Sequence, residues 1–352
     1  MAKMRSAVLV GPRQIEIEEI DRPEVDDDTV IVKAEGLGVC GSNLHWWYGG
    51  GSATGAMFFP MKGAGGHEFS GTIEEVGKNI SKVKVGDRVA IDQFHSTSCG
   101  ACKHCGAGWF NQCLNRNFFG QVGFVEYMKF TEKGLHVLPD HIETHAGAIA
   151  EPAAAPISAM RRLGITGGER VVVLGAGVLG LAAAGAAREM GAEQVVITAK
   201  YDHQIEFARK FEADAVIPSN DEKVVERILS ELGGYGADIV IETVGGHAPT
   251  LSQAADVVRQ RGTVLVLGLW DELVPMDSWK SVLKDITYKF CLTYGQNAGI
   301  KTDYEYTIDL MSSRKVPMQD LITHVIPLEK TAEAFELAAD KSQGVMKVIV
   351  KP

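Results

Sequence analysis

The sequence predicts a two-domain α/β protein, in which a β-rich N-terminal domain is followed by a domain built on a doubly wound parallel sheet. Three observations lead to this prediction. The first 150 residues carry short apolar runs separated by Gly, Asp and Pro turns. From residue 171 onward, apolar runs alternate with helical segments. The length of 352 residues also suits two domains, at roughly 100–200 residues each.

The N-terminal domain is predicted to be an antiparallel, barrel-like structure. Its apolar runs predict strands at 7–10, 30–34, 83–91 and 124–130. Short strands at this spacing, separated by turn residues, are typical of antiparallel sheets. The pattern changes near Ala146, where a helical stretch covers roughly 145–163.

The second domain shows strand–helix alternation. Strands are predicted at 171–174, 195–198, 238–241 and 263–267, and helices at about 178–190, 202–211, 221–232 and 248–259. This order indicates βαβ units and a parallel sheet. Beyond 290 the alternation fades, and 345–350 predicts a strand that returns to the first domain. We therefore expect a first domain at 1–155, completed by 291–352, and a second at 156–290.

Composition narrows the class of protein. The formal net charge of −10 argues weakly against nucleic acid as the main partner, because phosphate binding needs a basic surface. No apolar run reaches the length of about 18 residues that a transmembrane helix needs. The N-terminus lacks the long apolar core of a signal peptide. We expect a cytoplasmic protein without a membrane partner.

Four of the six cysteines form a compact cluster, Cys99, Cys102, Cys105 and Cys113. In a reducing compartment such spacing favours a metal site over a disulfide framework. Four thiolates without an open position predict a structural zinc site that folds a loop with little core of its own. A disulfide pair and an iron–sulfur cluster are the alternatives.

A glycine-rich turn predicts a dinucleotide site. Gly175, Gly177 and Gly180, with Val178 and Leu179 between the last two, follow a strand directly and open an Ala-rich helix. In this context the glycines allow a tight turn, close approach of a pyrophosphate and close helix–strand packing. The helix N-terminus offers N–H groups to the phosphates. A turn needed only for packing is the alternative.

The end of the next strand indicates which dinucleotide is bound. A carboxylate about 20 positions beyond the glycines would bind the ribose 2′-hydroxyl of NAD. Ala199 stands there instead, followed by Lys200, which can neutralise a 2′-phosphate. The sequence therefore favours NADP over NAD. The alternative is an ordinary solvated lysine with mixed cofactor specificity.

Three separated segments carry the remaining polar signals. They contribute Cys40, Ser42 and His45, then His67 and Glu68, and finally Glu151. Each of these residues alone is weak evidence for a metal site, and Glu68 alone would be more typical of a salt bridge. Together, a cysteine, a histidine and one or two carboxylates suit a catalytic zinc that keeps one position open.

These segments and their order resemble the zinc-containing medium-chain dehydrogenase/reductases over essentially the whole chain, most closely the sorbitol dehydrogenase-like polyol branch. The resemblance implies a GroES-like catalytic domain and a Rossmann domain. It implies that Cys40 and His67 bind the catalytic zinc, with Glu68 and Glu151 at the metal directly or through water, in an order left open. Ser42 and His45 would relay a proton, and Glu68 would assist the reaction. We further predict that Val244, Gly268 and Leu269 complete the dinucleotide site.

Two departures from this pattern bear on activity. Asn43 replaces the usual Asp, which in the family supports the zinc histidine. Thr293 replaces an Arg that helps to hold the polyol, which puts sorbitol itself in doubt. We predict a substrate pocket lined by Trp47, His95, Phe118 and Tyr294, with Trp46 as a further candidate. Ordinary core packing is the alternative for such aromatic residues.

The predicted function is reversible hydride transfer between NAD(P) and a secondary alcohol such as a polyol or sugar alcohol, with two zinc ions per chain. Zinc would lower the pKa of the bound alcohol, and the nicotinamide would accept the hydride. The alternative in the same site is an NADPH-dependent reductase of less polar ketones or aldehydes. The sequence gives less support to two other hypotheses, a zinc-free quinone or enone reductase and a non-enzymatic binding protein. The resemblance implies a homotetramer or homodimer, for which we expect an interface at the edge strand near 265–269 and the apolar segment after it.

Overall fold

A computed structural model of the chain describes residues 2–50, 59–120, 122–270, 272–295 and 301–352. The chain divides into two compact units. Unit 1 comprises Met1–Pro152, Gly295–Ser312 and Met318–Pro352, and unit 2 comprises Ala153–Tyr294 and Ser313–Pro317. Unit 1 is therefore assembled from segments on both sides of unit 2 along the chain.

The first part of unit 1 is rich in short strands. Its strands are β1 (Lys3–Gly11), β2 (Gln14–Asp21), β3 (Val30–Gly38), β4 (Met61–Lys62), β5 (Glu68–Val76), β6 (Arg88–Ile91), β7 (Tyr127–Phe130) and β8 (Leu135–Val137). Its short helices are α1 (Gly41–Trp47), α2 (Gln93–Ser96) and α3 (Lys103–Gly106). Helix α4 (Ala150–Leu163) then leads into unit 2.

Unit 2 alternates strands and helices. In chain order these are β9 (Arg170–Leu174), α5 (Val178–Glu189), β10 (Gln194–Ala199), α6 (Asp202–Lys210), β11 (Ala215–Pro218), α7 (Val224–Glu231), β12 (Ala237–Glu242), α8 (Thr250–Val257), β13 (Val258–Val266), α9 (Ser278–Leu283) and β14 (Thr287–Phe290). The chain then completes unit 1 with α10 (Asp303–Ser312), β15 (Ile322–Pro327), α11 (Thr331–Ala339) and β16 (Lys347–Lys351).

Two sheets organise the described part of unit 1. The smaller has the order β2-β1-β4, and the larger has the order β15-β16-β3-β5-β6-β8, with β7 paired to β3. Strand β3 pairs antiparallel with β5, with Gly38 opposite Glu68, and β16 pairs antiparallel with β3, with Ile349 opposite Gly38. These pairings place β16, β3 and β5 side by side at the end where the candidate metal ligands lie.

Aromatic side chains fill the core of unit 1. Phe124 packs edge-on against Phe335 of α11 at 5.3 Å between ring centroids, and Phe69 packs against Phe130 at 6.1 Å. All four side chains are fully buried. Because an aromatic ring buries a large apolar area, these contacts contribute strongly to anchoring α11 and β5 to the sheets. The core of unit 1 is therefore well packed.

Unit 2 is built on one parallel sheet with the strand order β11-β10-β9-β12-β13-β14. The three central strands β10, β9 and β12 are nearly continuous apolar runs, as expected for strands covered on both faces. Eight of the twelve residues of α5 are buried, and most of these are alanines, so the helix lies close to the sheet. The carboxyl ends of all these strands meet at one edge, where α/β proteins bind ligands.

The fold class predicted from the sequence is confirmed, although several element bounds differ. The predicted strand at 83–91 begins only at Arg88, because the Asp87 N–H donates to the Lys84 carbonyl and forms a turn. Seven observed strands lie outside the predicted ones, namely β2, β4, β5, β8, β11, β14 and β15. Since β14 pairs with β13, the segment near 265–269 is not at the sheet edge, and β14 is the edge strand among the residues that the structure describes. That part of the interface prediction was wrong.

None of the helices among the described residues has the length and apolar character needed to cross a membrane.

Candidate active site

Three candidate metal ligands converge in unit 1. Cys40 precedes α1 at the end of β3, and His67 precedes β5, whose first residue is Glu68. One ligand atom from each of these residues lies within 4.8 Å of the other two. Because β3 and β5 are neighbours in the sheet, residues from two distant stretches of sequence meet at one point. Sulfur, nitrogen and carboxylate oxygen are the donors that zinc takes in proteins.

The orientation of His67 is fixed by a backbone carbonyl. Nδ1 of His67 lies 3.0 Å from the Gly65 carbonyl oxygen, which can only accept, so Nδ1 carries a proton. The other ring nitrogen, Nε2, lies 3.3 Å from Ser42 Oγ. This arrangement leaves Nε2 as the ring atom for a metal, as in other proteins where a second hydrogen bond orients a ligating histidine.

Asn43 makes two hydrogen bonds beside the candidate metal ligands. Its Nδ2 donates to the Gly65 carbonyl at 2.8 Å, and its Oδ1 accepts from the Cys40 N–H at 2.9 Å. The side chain is fully buried. Asn43 therefore supports His67 through a shared carbonyl and also ties down the backbone of Cys40. An Asp could accept from Cys40 but could not donate to Gly65 when ionised.

Negative charge surrounds His67. Burial lowers the pKa of His67, but Cys40, Glu151 and Glu68 together outweigh this effect and raise the pKa to about 10. A divalent cation satisfies the same negative charges, so the donor set fits a metal ion. Glu151 lies in the first turn of α4 and is buried, with 5% of its surface exposed.

Glu68 has a partner that the sequence analysis did not identify. Both carboxylate oxygens of Glu68 lie 2.7 Å from Nζ of Lys347 on β16, and the ammonium also donates to the Val39 carbonyl at 3.1 Å. The side chains of the pair are 4% and 0% exposed. The sequence did carry a signal for this pair, since Lys347 is the one charged residue in the apolar run 345–350. A charge that is buried in a strand needs a partner of opposite charge.

The two candidate relay residues lie on α1. Ser42 and His45 are three residues apart and therefore share a face of this helix. Ser42 Oγ contacts His67, whereas the His45 side chain is partly exposed. The helix thus presents one hydroxyl at the metal ligands and one imidazole nearer the surface. Their role in proton transfer stays a prediction.

Trp47 does not line an open pocket, contrary to the prediction from the sequence. Its ring is fully buried and packs against Phe335 at 5.4 Å between centroids. The neighbouring Trp46 is only partly buried, with its ring against Gly65. Helix α1 therefore directs Trp47 into the core and Trp46 toward the segment that carries His67. Sequence adjacency alone could not assign these two directions.

The other predicted pocket residues differ in exposure. His95 stacks on Phe110 at 3.9 Å, and burial lowers the pKa of His95 to about 4, so its ring is neutral at pH 7. Phe118 is 76% exposed, whereas Tyr294, in unit 2, is buried. Their assignment to a substrate pocket stays a prediction.

The four cysteines of the lobe form the second candidate metal site. The sulfurs of Cys99, Cys102, Cys105 and Cys113 lie within 4.8 Å of one another. Sγ of Cys105 lies 3.9 Å from that of Cys99 and 3.5 Å from that of Cys102. A tetrahedral site with Zn–S distances of about 2.3 Å requires sulfurs about 3.8 Å apart, which these separations match. None of the four cysteines is paired in a disulfide.

The lobe is supported by backbone donors and one arginine. The Cys99 N–H donates to Cys113 Sγ at 3.3 Å, and the Cys102 N–H donates to Cys99 Sγ at 3.4 Å. Arg116 donates to the Phe94 and Phe110 carbonyl oxygens at 3.1 and 2.8 Å. These contacts position the thiolates without a large apolar core.

The predicted dinucleotide residues of unit 2 gather at the carboxyl edge of its sheet. Gly175 follows β9 with φ of 103°, and a Cβ at Gly180 would lie 1.7 Å from the Gly175 carbonyl oxygen, so both positions require glycine. Gly177 caps α5, which begins at Val178, followed by Leu179. The geometry is that of a strand, a tight turn and a helix N-terminus open to phosphate groups.

The remaining cofactor candidates end the neighbouring strands. Ala199 is the last residue of β10 and is buried, and the exposed Lys200 places its ammonium 5.4 Å from the Tyr201 ring. Gln204 Oε1 accepts from the Lys200 N–H at 2.9 Å. On the other side of β9, Val244 follows β12, and Gly268 and Leu269 follow β13.

Comparisons with known proteins agree with both units. Residues 26–140 match the profile of the alcohol dehydrogenase GroES-like domain, and residues 178–313 match that of the zinc-binding dehydrogenases. A sorbitol dehydrogenase of Bombyx mori is 32% identical over 99% of both chains. The D-xylulose reductase A of Aspergillus niger is 30% identical over 95% of this chain and 93% of its own length.

A solved structure shows the same fold. A chain from Sinorhizobium meliloti 1021, assigned to the zinc-binding dehydrogenases and crystallised with NADP, superposes with a TM-score of 0.84. It is 27% identical and both chains are fully covered. The match over the whole length, together with the ligand cluster and the glycine turn, shows that this chain belongs to the zinc-containing medium-chain dehydrogenase/reductase family, in its polyol dehydrogenase branch, and is an alcohol dehydrogenase.

Proposed function

We propose that this enzyme interconverts a secondary alcohol of the polyol or sugar alcohol class and the corresponding ketone. The observation that carries the proposal is the convergence of Cys40, His67 and Glu68 within 4.8 Å. The names of the Bombyx mori and Aspergillus niger relatives, a sorbitol dehydrogenase and a xylulose reductase, support a polyol or its ketose as substrate. Thr293 in place of an arginine favours a substrate less polar than sorbitol.

Each of the two units has one task in this proposal. Unit 1 is the catalytic domain with its zinc lobe, and unit 2 is the dinucleotide-binding domain. Cys40 and His67 hold a catalytic zinc, which supplies a Lewis acid to the alcohol oxygen when bound. Glu68 and Glu151 contribute the remaining negative charge, and Lys347 holds Glu68 in place. The second zinc lies in the four-cysteine lobe and has a structural role.

The proton of the alcohol leaves through α1. Ser42 Oγ lies 3.3 Å from His67 Nε2 and therefore close to where the alcohol hydroxyl would bind. We assign Ser42 as the first acceptor of this proton. His45, one turn further along α1 and partly exposed, passes the proton to solvent. A bound nicotinamide would supply the acceptor for the hydride.

A panel assay tests the reaction. Polyols, sugars and aliphatic secondary alcohols are offered with NAD and with NADP while reduced nicotinamide is followed by absorbance and zinc is quantified. Turnover of a polyol with about two zinc ions per chain supports the proposal. Turnover confined to apolar alcohols and ketones would instead favour the reductase alternative.

His67→Ala tests the ligand set. Loss of a zinc ligand should lower kcat/KM about 1000-fold, because a metal contributes several kcal/mol to the transition state. The control is His247→Ala, which removes a histidine that is 78% exposed and pairs with Glu272 in unit 2. Activity of His67→Ala within a factor of two of wild type, with both zinc ions retained, would reject the assignment.

We propose that NADP is preferred over NAD. The supporting features are the missing carboxylate at Ala199, the exposed ammonium of Lys200 and the NADP carried by the Sinorhizobium meliloti structure. Ala199→Asp should shift the ratio of kcat/KM values toward NAD by roughly 100-fold, because a carboxylate repels a 2′-phosphate. Lys200→Met should weaken the binding of NADP and leave the binding of NAD unchanged. A tenfold preference of the wild type for NAD would contradict this.

We also propose a homo-oligomer in the cytoplasm, a reducing compartment that suits six cysteines without a disulfide among them. Among the described residues strand β14 is a sheet edge, and the apolar side chains of Leu273, Trp279, Val282 and Phe290, on β14 or in the segment before it, are between 62% and 100% exposed. A sheet edge and several exposed apolar side chains in this part of the sequence suit pairing with a second copy. Light scattering should show a dimer or tetramer, and Trp279→Glu with Val282→Glu should dissociate it. A stable wild-type monomer at micromolar concentration would reject the oligomer.

A further inference from the structure

Glu242 is a buried carboxylate at the end of β12 that the proposed reaction does not use. Its side chain is 0% exposed. One carboxylate oxygen, Oε1, accepts three hydrogen bonds, from the Val244 N–H at 2.8 Å, the Gly245 N–H at 2.9 Å and Thr250 Oγ1 at 2.7 Å. Glu242 therefore holds the turn that follows its own strand and the start of α8.

The second oxygen of Glu242 faces another loop. Oε2 has no hydrogen-bond partner among the described residues. A Cβ at Gly268 would lie 2.2 Å from Oε2, so the loop after β13 passes directly over the carboxylate. The backbone carbonyl of Glu242 also accepts from the Leu267 N–H at 2.9 Å. Glu242 thus contacts the loops that follow two neighbouring strands.

These two loops are also joined to each other. The Gly246 N–H donates to the Leu269 carbonyl at 2.7 Å. On the opposite side, Thr243 Oγ1 donates to the carbonyl of Leu174, the residue before the glycine turn, at 2.8 Å. The carboxyl edge of β9, β12 and β13 is therefore held together around Glu242.

A stabilising role alone does not account for this carboxylate. A buried oxygen without a hydrogen-bond donor costs stability, because its hydration is lost without replacement. Such groups are rare, and a functional role is one reason for their retention. Val244 and Leu269, carried by the two loops that Glu242 contacts, are 46% and 60% exposed. The loops therefore present open apolar side chains above a carboxylate that three hydrogen bonds hold in place.

The position of Glu242 in the sheet identifies the ligand group nearby. In a doubly wound sheet with the order 3-2-1-4-5-6, each half binds one mononucleotide of the cofactor. The sheet of unit 2 has this order, with Ala199 and Lys200 on the β10 side. The adenosine half therefore belongs on the β10 side, and the nicotinamide half belongs beside β12 and β13.

We propose that Glu242 is a positioning residue that fixes the loops at Val244–Gly245 and Gly268–Leu269 for the nicotinamide half of the cofactor. This inference rests on the dinucleotide use proposed above. Glu242 itself does not touch the cofactor and acts through the backbone it holds. Its removal should therefore affect the nicotinamide half of the site and leave the adenosine half unchanged.

Glu242→Gln tests the proposal, because the amide keeps the shape and one acceptor oxygen but loses the charge. Binding of NADPH and NADH is measured by fluorescence, and binding of ADP-ribose and 2′-phospho-ADP-ribose, which lack the nicotinamide, is measured by calorimetry. We expect dinucleotide Kd to rise about tenfold, since charge-assisted hydrogen bonds are roughly twice as strong as neutral ones. We expect the Kd of the ADP-ribose compounds to stay within a factor of two of wild type.

Thr198→Val is the matched control for the other half of the site. Thr198 Oγ1 accepts from the Gly175 N–H at 2.9 Å. Loss of this hydrogen bond should weaken the binding of the dinucleotides and of the ADP-ribose compounds to the same extent. If Glu242→Gln does not fold, Thr250→Val removes one of the three donors to Oε1 and should give a smaller, equally selective loss. Thr250→Ser keeps the hydroxyl and should bind as wild type does.

Equal loss of both ligand classes in Glu242→Gln, or no loss of either, would overturn the positioning role. A wild-type protein that binds neither dinucleotide would overturn the proposed cofactor use itself. The two failures are therefore distinguishable.

Discussion

Removal of the Lys347 ammonium should strongly destabilise unit 1. In Lys347→Met the Glu68 carboxylate, whose side chain is 0% exposed, loses the cation that lies 2.7 Å from both of its oxygens. Breaking a buried ion pair by removing one partner costs about 3–5 kcal/mol, because an uncompensated charge remains inside. Methionine fills a similar volume, so the effect reports charge and hydrogen bonding more than packing.

Urea unfolding with intrinsic fluorescence measures this loss of stability. Trp47 is buried in unit 1, so its exposure on unfolding of that unit contributes to the change in emission. The surface pair Lys3–Asp21, whose side chains are 57% and 58% exposed, provides the matched control. Lys3→Met should change the free energy of unfolding by no more than about 1 kcal/mol. Lys347→Arg keeps the charge and should recover part of the lost stability.

A double-mutant cycle isolates the interaction between the two side chains. Glu68→Gln combined with Lys347→Met leaves no unpaired charge, so the double variant should lose less stability than the sum of the single variants. A coupling free energy of at least about 1.5 kcal/mol is expected for such a close buried pair. The reasoning is refuted if Lys347→Met unfolds within 0.5 kcal/mol of wild type, or if the two substitutions are additive.

Three further predictions concern other parts of the chain. Burial lowers the pKa of His136 to about 4 from an ordinary 6.5. As the pH falls from 6.5 to 4, His136 is therefore protonated in the unfolded state but not in the folded state. The free energy of unfolding should fall by up to about 3 kcal/mol over this pH range. His136→Phe, which keeps the stack on Tyr304, should flatten this part of the stability–pH curve, and an unchanged curve would contradict the assignment. Cys105→Ser should release one zinc ion per chain and make the 99–113 lobe sensitive to protease, as metal analysis and limited proteolysis can show. An unaltered zinc content would exclude a four-thiolate site. Thr293 has φ of 41°, which is strained for a β-branched residue, so Thr293→Gly should raise the free energy of unfolding by about 1 kcal/mol, and a loss of stability would oppose this view.

Features encoded by short stretches of sequence were predicted well. The strand, glycine turn and helix at Gly175–Gly180 follow from neighbouring residues, and the glycine positions have direct steric causes. The cysteine lobe is equally local, since its ligands fall between residues 99 and 113. By contrast, β5 was not predicted, because its residues Glu68–Val76 include Ser, Thr and Glu and lack a clear apolar alternation.

Features that depend on distant segments could not be read from the pattern. Lys347 and Glu68 are 279 residues apart, and only the alignment of β16, β3 and β5 brings them together. Trp46 and Trp47 are chemically identical neighbours, and the direction of α1 alone separates their environments. Asn43 replaces an Asp that in the family supports the zinc histidine, and in the structure it reaches His67 only through the Gly65 carbonyl. Residue type therefore indicated which groups were involved but not how they were connected.

The discontinuity of unit 1 along the chain imposes an order on events during translation. Strand β16, which carries Lys347, is synthesised only after the whole of unit 2, whereas Cys40, His67 and Glu68 have long since left the ribosome. Unit 2 and the cysteine lobe are nearly continuous in sequence and can fold as they emerge. If the two zinc sites are as proposed, a nascent chain can therefore take up the lobe zinc early, but the Cys40, His67 and Glu68 cluster acquires its full set of charges only when β16 is added. A polypeptide truncated before β16 would then carry one complete candidate metal site and one incomplete one.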